Sequence, residues 1–368
     1  MKVLHILHEL KFSGAEIMYV DAASFFQKKG CQLNVLATAI NLGEYAPYFE
    51  RAGYNVMHKT YPALKNYISR IKYYIDIIRF LKIENFDVVH IHASGTMWGM
   101  ALCAWIAGKR SVYTFHSVFP TRFFTYPYHC LLRWSAKYIF KCRFQTISDS
   151  VFNHELNFFH NRTTKILNWY GSNRFYPSME GEKSLIRNDL GISTNTLVLI
   201  SVGGCNHNKR HTDIIEALPI ILKEFPDCLY LHLGHGNTES DEIELANNLG
   251  VSDHIRFYGN QSNVRKFLIA SDIYMMTSRY EGISLTTIEA MACQLPAILY
   301  NVPGLRDFNS DGENSILIPE NFQVLAENVI FLSRNSGEAQ KMALRSRMLV
   351  EGKFSLAKNA EKIFNLYK

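Results

Sequence analysis

Short runs of β-forming residues alternate with longer amphipathic stretches along almost all of this chain, and the series breaks off once and then begins again. Such alternation builds parallel sheets, because a parallel neighbour needs a crossover long enough to carry the chain back to the same end of the sheet. Strands are expected at Val3 to Leu7, Gln32 to Ala37, Val88 to His92, Ser111 to His116, Arg143 to Ile147 and Lys165 to Leu167, with helices at Ala15 to Lys29 and Tyr67 to Leu81. From Gly171 a polar stretch, GSNRFYPSMEGEKS, interrupts the pattern. Strands are then expected at Leu197 to Val202, Leu229 to Leu233, Ile255 to Phe257, Ile273 to Met276 and Ala297 to Leu299. Helices fall between them at Arg210 to Glu224, Glu239 to Leu249, Val264 to Ala270 and Ser284 to Met291. The fold class is therefore α/β, with two doubly wound, Rossmann-like domains at 1–171 and 172–352 and a terminal helix at 353–368 expected to pack back on the first. The 368 residues exceed what one hydrophobic core usually fills, which agrees with two domains. Ligands of such sheets bind at the carboxyl ends of the strands, so function is expected in a cleft between the two domains.

Hydrophobic residues make up 48% and charged residues 20%, a balance that excludes disorder. The opening MKVLHILHEL carries one lysine before a short apolar run and reads as a first strand rather than a signal peptide. The apolar stretch Thr96 to Ala107 is shorter than the roughly 20 residues that span a bilayer and reads as a buried helix. Seven cysteines without a CxxC pair indicate neither a disulfide framework nor a zinc motif, and a reducing cytoplasm suits them.

The segment SRYEGISLTTIEAM, Ser278 to Met291, carries the strongest chemical signal. A strand ends, a Glu-Gly turn follows, and a helix starts near Ser284. Backbone amides at a helix N-terminus bind anions, so Ile283, Ser284 and Leu285 suit a diphosphate, and Gly282 permits its close approach. Glu281 in the loop and Glu289 in the helix can then accept hydrogen bonds from sugar hydroxyls. Taken singly, each acid would read as a solvated surface group.

Together these residues resemble the Glu-x7-Glu motif of the retaining GT-B glycosyltransferases of family 4. The resemblance extends to SGAE at Ser13 to Glu16, DVVHIH, TFH at Thr114 to His116, TIS at Thr146 to Ser148, GHG at Gly234 to Gly236 and FYG at Phe257 to Gly259. It implies a transferase moving a sugar from a nucleoside-diphosphate sugar donor to a hydroxyl acceptor, a glycan or lipid-linked glycan of surface-polysaccharide assembly. By the same resemblance Glu289 holds the ribose, Glu281 meets the donor sugar, and Gly14 and Gly234 lie beside the donor. His116 faces the reacting sugar, and Lys209 meets the donor phosphates. The family commonly carries an arginine where Gly204 stands in VGGCNHNKRH; Arg210 or His207 are the candidates to replace its charge.

No cluster shows metal-ligand spacing: His90-x-His92 alternates along a strand with no third ligand near it in sequence, and no DxD pair is present in a suitable loop. No metal or other cofactor is expected. The first 170 residues hold 20 basic and 10 acidic side chains, leaving 19 and 23 for the remainder of the 39 and 33. The aromatic and basic stretches Tyr67 to Lys82 and Pro120 to Phe144 suit an anionic membrane surface, which would make the protein cytoplasmic and peripheral. Nucleic acid is not expected, because no binding motif accompanies the charge. Two other functions share these features: a sugar-nucleotide epimerase or hydrolase, and a non-catalytic nucleotide-sugar binding protein.

Overall fold

The computed structural model describes residues 1–63, 66–118, 123–309 and 312–368. The chain divides into two compact units, Met1–Gly171 with Leu356–Lys368, and Ser172–Ser355.

In the first unit the strands are β1 (Lys2–Leu7), β2 (Gln32–Ala37), β3 (Asn55–His58), β4 (Val88–Ile91), β5 (Arg110–Phe115), β6 (Arg143–Thr146) and β7 (Thr164–Lys165). They form one parallel sheet in the order β3-β2-β1-β4-β5-β6-β7. The strand order reverses between β1 and β4, which opens a switch point at their carboxyl ends. Every residue of β4 is buried, as a strand covered by helices on both faces requires. The helix Met97–Ile106 packs so closely on the helix Tyr67–Ile83 that a Cβ on Gly99 would lie 2.2 Å from Tyr74 Oη. The expected helix Ala15 to Lys29 is instead two, Gly14–Asp21 and Ala23–Lys28, divided at Ala22 with no glycine or proline to announce it. The edge strand β3, NVMH, escapes sequence reading because none of its four residues is buried.

The helix Leu356–Tyr367 belongs to this first unit although it is the last in sequence. Tyr367 Oη lies 2.6 Å from His90 Nδ1, and Asn359 donates to the Asn168 carbonyl at 3.2 Å. Tyr367 and Ile363 are buried against the sheet side of the unit, so the chain end is part of its core.

The second unit repeats the plan with β8 (Val198–Val202), β9 (Leu229–Leu233), β10 (Ile255–Gly259), β11 (Ile273–Met276), β12 (Ala297–Tyr300) and β13 (Ile316–Ile318). These strands are parallel in the order β10-β9-β8-β11-β12-β13. The reversal lies between β8 and β11, so the loops 203–210 and 277–284 leave neighbouring strand ends. The three-residue β13 is too short to show a pattern in the sequence.

Candidate active site

In the second unit the two switch-point loops are stitched to each other before any ligand arrives. Thr277 Oγ1 donates to the carbonyls of Lys209 and Arg210 at 2.9 Å, Asn208 Nδ2 donates to Tyr280 O at 3.0 Å, and Arg279 N–H donates to Asn208 O at 2.8 Å. This brings Lys209 Nζ to 2.6 Å from Glu281 Oε1, both side chains being mostly buried. Ser278 Oγ donates to the same carboxylate oxygen at 2.7 Å. Glu281 is held from its backbone as well, through its N–H to Pro303 O at 2.9 Å. Gly304, at φ +81°, permits this approach: a Cβ there would lie 2.3 Å from the Glu281 carbonyl.

Gly282 and Ile283 lead from Glu281 to Ser284, the N-cap of the helix Leu285–Ala292. Its Oγ accepts from Thr287 N–H at 3.2 Å, and the first intrahelical bond is Ile288 N–H to Ser284 O. The Ile283, Ser284 and Leu285 amides therefore precede the hydrogen-bonded turn, where the helix offers its positive end. Thr286 Oγ1 ties this end to β8 through the Val202 carbonyl at 3.0 Å. Glu289 follows within the helix and is buried.

Across the loop, Gly203 lies under the Lys209 stem, a Cβ there coming 3.0 Å from Lys209 Cε. Gly234, at φ +139°, brings the GHG turn against Gly203, where a Cβ would fall 1.9 Å from its carbonyl oxygen. Gly204 borders the same turn, with 3.3 Å between an added Cβ and His235 O. The loops thus gather Gly204, Lys209, Gly234, Glu281, Gly282, Ile283, Ser284 and Leu285 around three adjacent strand ends, those of β9, β8 and β11. Arg210 is drawn elsewhere. Its guanidinium pairs with Asp213 at 2.8 Å and with Glu320, and it stacks over Tyr300. A candidate to replace the missing arginine charge is therefore already engaged by two carboxylates, while His207 is exposed.

In the first unit the helix Gly14–Asp21 begins at Gly14, with Ser13 extended at its N-cap and donating to Glu16. Burial raises Glu16 to about 7. His116 follows β5 directly, and its Nε2 lies 3.0 Å from His92 Nδ1. The His92 Nε2 in turn lies 3.1 Å from His5 Nδ1. His90 is bonded on both ring nitrogens, to Tyr367 Oη at 2.6 Å and Thr114 Oγ1 at 2.7 Å. Burial lowers all four histidines, His5 to about 3 and His116 to about 4. At neutral pH the rings are uncharged, each able to accept at one nitrogen and donate from the other.

This corrects the expectation that His90 and His92 stand without a third ligand-type residue. The pairing of β1 with β4 sets His5 opposite His90. Strand β4 ends at Ile91, so His92 escapes the pleat and its ring comes 4.1 Å from that of His90. Sequence spacing cannot show a neighbour 85 positions away. The hydroxyls of Thr277, Ser278 and Thr286 were missed likewise; their signal was three small polar residues at the carboxyl end and helix entry of one strand-helix unit.

The basic, aromatic stretches separate on inspection. Pro120, Arg122 and the side chain of Phe123 lie outside the described residues. Arg133 is no surface cation: its guanidinium donates twice to Glu155 at 2.8 Å and lies 3.6 Å over the Phe159 ring. The helix Tyr126–Tyr138 nevertheless exposes Tyr128, Leu131, Trp134 and Tyr138, and the helix Tyr67–Ile83 exposes Ile68, Ile71 and Ile75 beside Lys72, Arg79 and Lys82. No helix among the described residues is long and apolar enough to cross a membrane. A concavity of about 430 Å³ in the second unit, lined by Asp272, Cys293 and Pro296 among others, lies at the amino ends of β11 and β12, opposite the candidate loops.

Two switch-point sheets in one chain, with paired strand-end loops on the second, define the GT-B class. Residues 12–167 match Glycosyltransferase Family 4 and residues 182–348 match Glycosyl transferases group 1. The chain belongs to glycosyltransferase family 4 and has the GT-B fold. EpsD of Bacillus subtilis (strain 168) is 28% identical over 199 residues, and that match spans about half of each protein, 53% of this chain and 51% of EpsD. A UDP-Gal:alpha-D-GlcNAc-diphosphoundecaprenol alpha-1,3-galactosyltransferase of Escherichia coli is 23% identical over 309 residues, 82% of this chain and 80% of that one. The crystal structure of Anabaena HepE in complex with UDP has a TM-score of 0.85 at 18% identity, covering 100% of this chain and 99% of HepE.

Proposed function

We propose that this glycosyltransferase moves a sugar, with retention, from a nucleoside-diphosphate sugar to a hydroxyl of a glycan or lipid-linked glycan in surface-polysaccharide assembly. The observation that carries this reading is the Lys209–Glu281 pair, held at 2.6 Å beside the Ser284 helix entry. In this reading the diphosphate lies on the Ile283 to Leu285 amides and draws the Lys209 ammonium from Glu281, whose freed carboxylate meets the sugar. Glu289 accepts from the ribose. In the first unit, His116 is the residue proposed to face a sugar and Gly14 the one proposed to lie near a diphosphate. Charge developing on the leaving diphosphate is met by Lys209 and the helix dipole in place of a divalent ion. The leaving phosphate takes the acceptor proton, so no protein carboxylate serves as nucleophile. The HepE complex with UDP and the lipid-linked substrate in the Escherichia coli relative's name support a nucleotide-sugar donor and such an acceptor.

Glu289→Ala tests the donor half of the reading. Affinity for a nucleoside diphosphate falls about tenfold or more, as loss of a hydrogen bond to a charged group implies; unchanged affinity removes the ribose role. Turnover persists in excess chelator, and loss restored by magnesium would contradict metal-free chemistry.

The same proposal includes an anionic membrane as the surface that presents the acceptor, with the exposed apolar and basic side chains of the helices Tyr67–Ile83 and Tyr126–Tyr138 in contact. Each cation near such a surface contributes about 1 kcal/mol. Co-sedimentation with anionic but not neutral vesicles, weakened by replacing Lys72, Arg79, Lys82 and Lys141 with Gln, is the expected result. Equal partition onto both removes the membrane.

A further inference from the structure

A second cluster lies in the second unit and shares the loop 203–210 with the candidate donor site. Cys205 comes from the loop after β8, His211 from the start of the helix His211–Glu224, His232 from β9, and Glu242 from the first turn of the helix Glu239–Asn248. All four are buried to within 1% of full exposure loss. One ligand-type atom from each lies within 4.8 Å of all the others. His232 Nε2 is 2.9 Å from His211 Nδ1, 2.9 Å from Glu242 Oε2 and 3.9 Å from Cys205 Sγ, and His211 Nδ1 is 3.5 Å from Glu242 Oε2.

Protons alone do not settle this arrangement. The contact between the two ring nitrogens uses one N–H, and two N–H groups facing each other at that distance would repel. Glu242 Oε2 lies close to both rings and yet receives no aligned hydrogen bond, while its other oxygen accepts from Thr238 Oγ1 at 2.7 Å. A carboxylate oxygen in such a place is costly unless a positive charge reaches it. A tetrahedral zinc ion, with bonds of about 2.0–2.1 Å to nitrogen or oxygen and about 2.3 Å to sulfur, sets its ligand atoms roughly 3.3–3.6 Å apart. The distances here straddle that range. Thiolate and carboxylate together carry two negative charges, the number that a divalent ion cancels.

We infer that Cys205, His211, His232 and Glu242 form a structural site for a tetrahedral divalent transition-metal ion, zinc by its Cys-His-His-Glu ligand set. Four protein ligands close the coordination sphere and leave no position for substrate, so the ion takes no part in sugar transfer. It joins four elements around the loop 203–210, fixing the base from which Lys209 projects. The Cys205 thiol now contacts the Gly234 carbonyl at 3.6 Å and turns from it on deprotonation by the metal. Outside the cluster, His211 Nε2 and His232 Nδ1 have no partner among the described residues. Affinity therefore rests on the four ligands alone, about 10- to 100-fold below a site with an orienting outer shell. The sequence could not show the site, because Cys205-x5-His211 and His232-x9-Glu242 follow no ligand spacing; the β8–β9 pairing creates it. The inference does not depend on the glycosyl-transfer reading.

Elemental analysis of the full chain, expressed in zinc-supplemented medium and desalted without chelator, tests it. About one zinc per chain is expected. Replacing zinc with cobalt gives the intense visible bands of a tetrahedral site and a thiolate-to-cobalt charge-transfer band. Cys205→Ser removes the charge-transfer band, His232→Gln lowers the metal content at least about tenfold, and Cys130→Ser, at a cysteine outside the cluster, changes neither. Wild-type chain holding less than about a tenth of a zinc and showing no tetrahedral cobalt spectrum overturns the site. So does a cobalt spectrum that Cys205→Ser leaves intact. Because the wild-type measurements stand alone, misfolding of a variant does not shelter the inference.

Discussion

The two sheets are built alike and finish differently. Each reverses its strand order beside its first strand, and each places its candidate residues at the carboxyl ends there. In the first unit that end is filled with rings: His5, His90, His92 and His116, with Tyr19 and Trp169 packed nearby, all uncharged at neutral pH. In the second it carries an ammonium, a carboxylate, several hydroxyls and a helix entry. One scaffold can therefore present either a neutral hydrogen-bonding surface or a fixed electrostatic one. The choice rests on a few residues at and just after the strand ends, among them His5 in β1 and His90 in β4, set in otherwise largely apolar central strands. A diphosphate suits the second surface. A reacting sugar, which needs donors and acceptors without a net charge, suits the first.

The largest expected effect comes from removing the charge of the second surface. Lys209→Ala lowers turnover roughly 100- to 1000-fold, the cost of deleting one preorganised group that stabilises developing negative charge. Glu281→Gln leaves the lysine without its carboxylate and lowers turnover more than donor affinity. Single-turnover assays separate the two effects. If Lys209→Ala kept near wild-type turnover, the contrast between the surfaces would lose its chemical meaning.

On the first surface the effect is smaller. His116→Ala removes a neutral ring, and a fall of about 10- to 100-fold in turnover with little change in donor affinity is expected, the size of one or two hydrogen bonds. A matching loss in both quantities would make His116 an anchor for the donor instead. Comparing His92→Asn, which removes the ring facing His116 Nε2, with His116→Ala shows whether the chain of rings orients the last one.

The smallest effect is on stability, and it should differ between the units. Unfolded histidines take up protons below about 6.5, whereas His5 waits until about 3 and His116 until about 4, with His90 and His92 lowered too. Between those limits the unfolded state binds more protons, so stability falls as pH drops from about 6.5. Glu16, raised to about 7, opposes this, as one group against four. In the second unit His211 and Glu242 are ligands of the inferred metal site, so the comparison is made on chelator-treated protein, where burial lowers His211 to about 4 and the histidine neighbours lower Glu242 against the cost of burial. All four tryptophans, at 98, 105, 134 and 169, lie in the first unit, so their fluorescence reports it alone. Moving from pH 7.5 to 5.5 is expected to lower that unit's unfolding midpoint by several degrees. His90→Gln flattens the slope. Equal pH dependence of tryptophan fluorescence and whole-chain circular dichroism would erase the distinction between the units.

Much of this protein was legible from the chain alone, for a physical reason. Buried parallel strands read as continuous apolar runs and their crossover helices as 3.6-residue stripes, so strands such as Gln32–Ala37 and Ile273–Met276 are recognisable without any partner. The turn-helix SRYEGISLTTIEAM is local as well, since an N-cap and the amides after it belong to consecutive residues. That is also why the family resemblance could be seen. Tertiary structure alone decided everything that depends on which strands become neighbours. It set Lys209 against Glu281, 72 positions apart, turned Arg210 onto Asp213 and Glu320, and buried Arg133 against Glu155. It set His5 against His90 and His92, and gathered Cys205, His211, His232 and Glu242 into one buried cluster. Such contacts arise from sheet order and from where each strand stops, and neither leaves a periodic trace in the residues that meet.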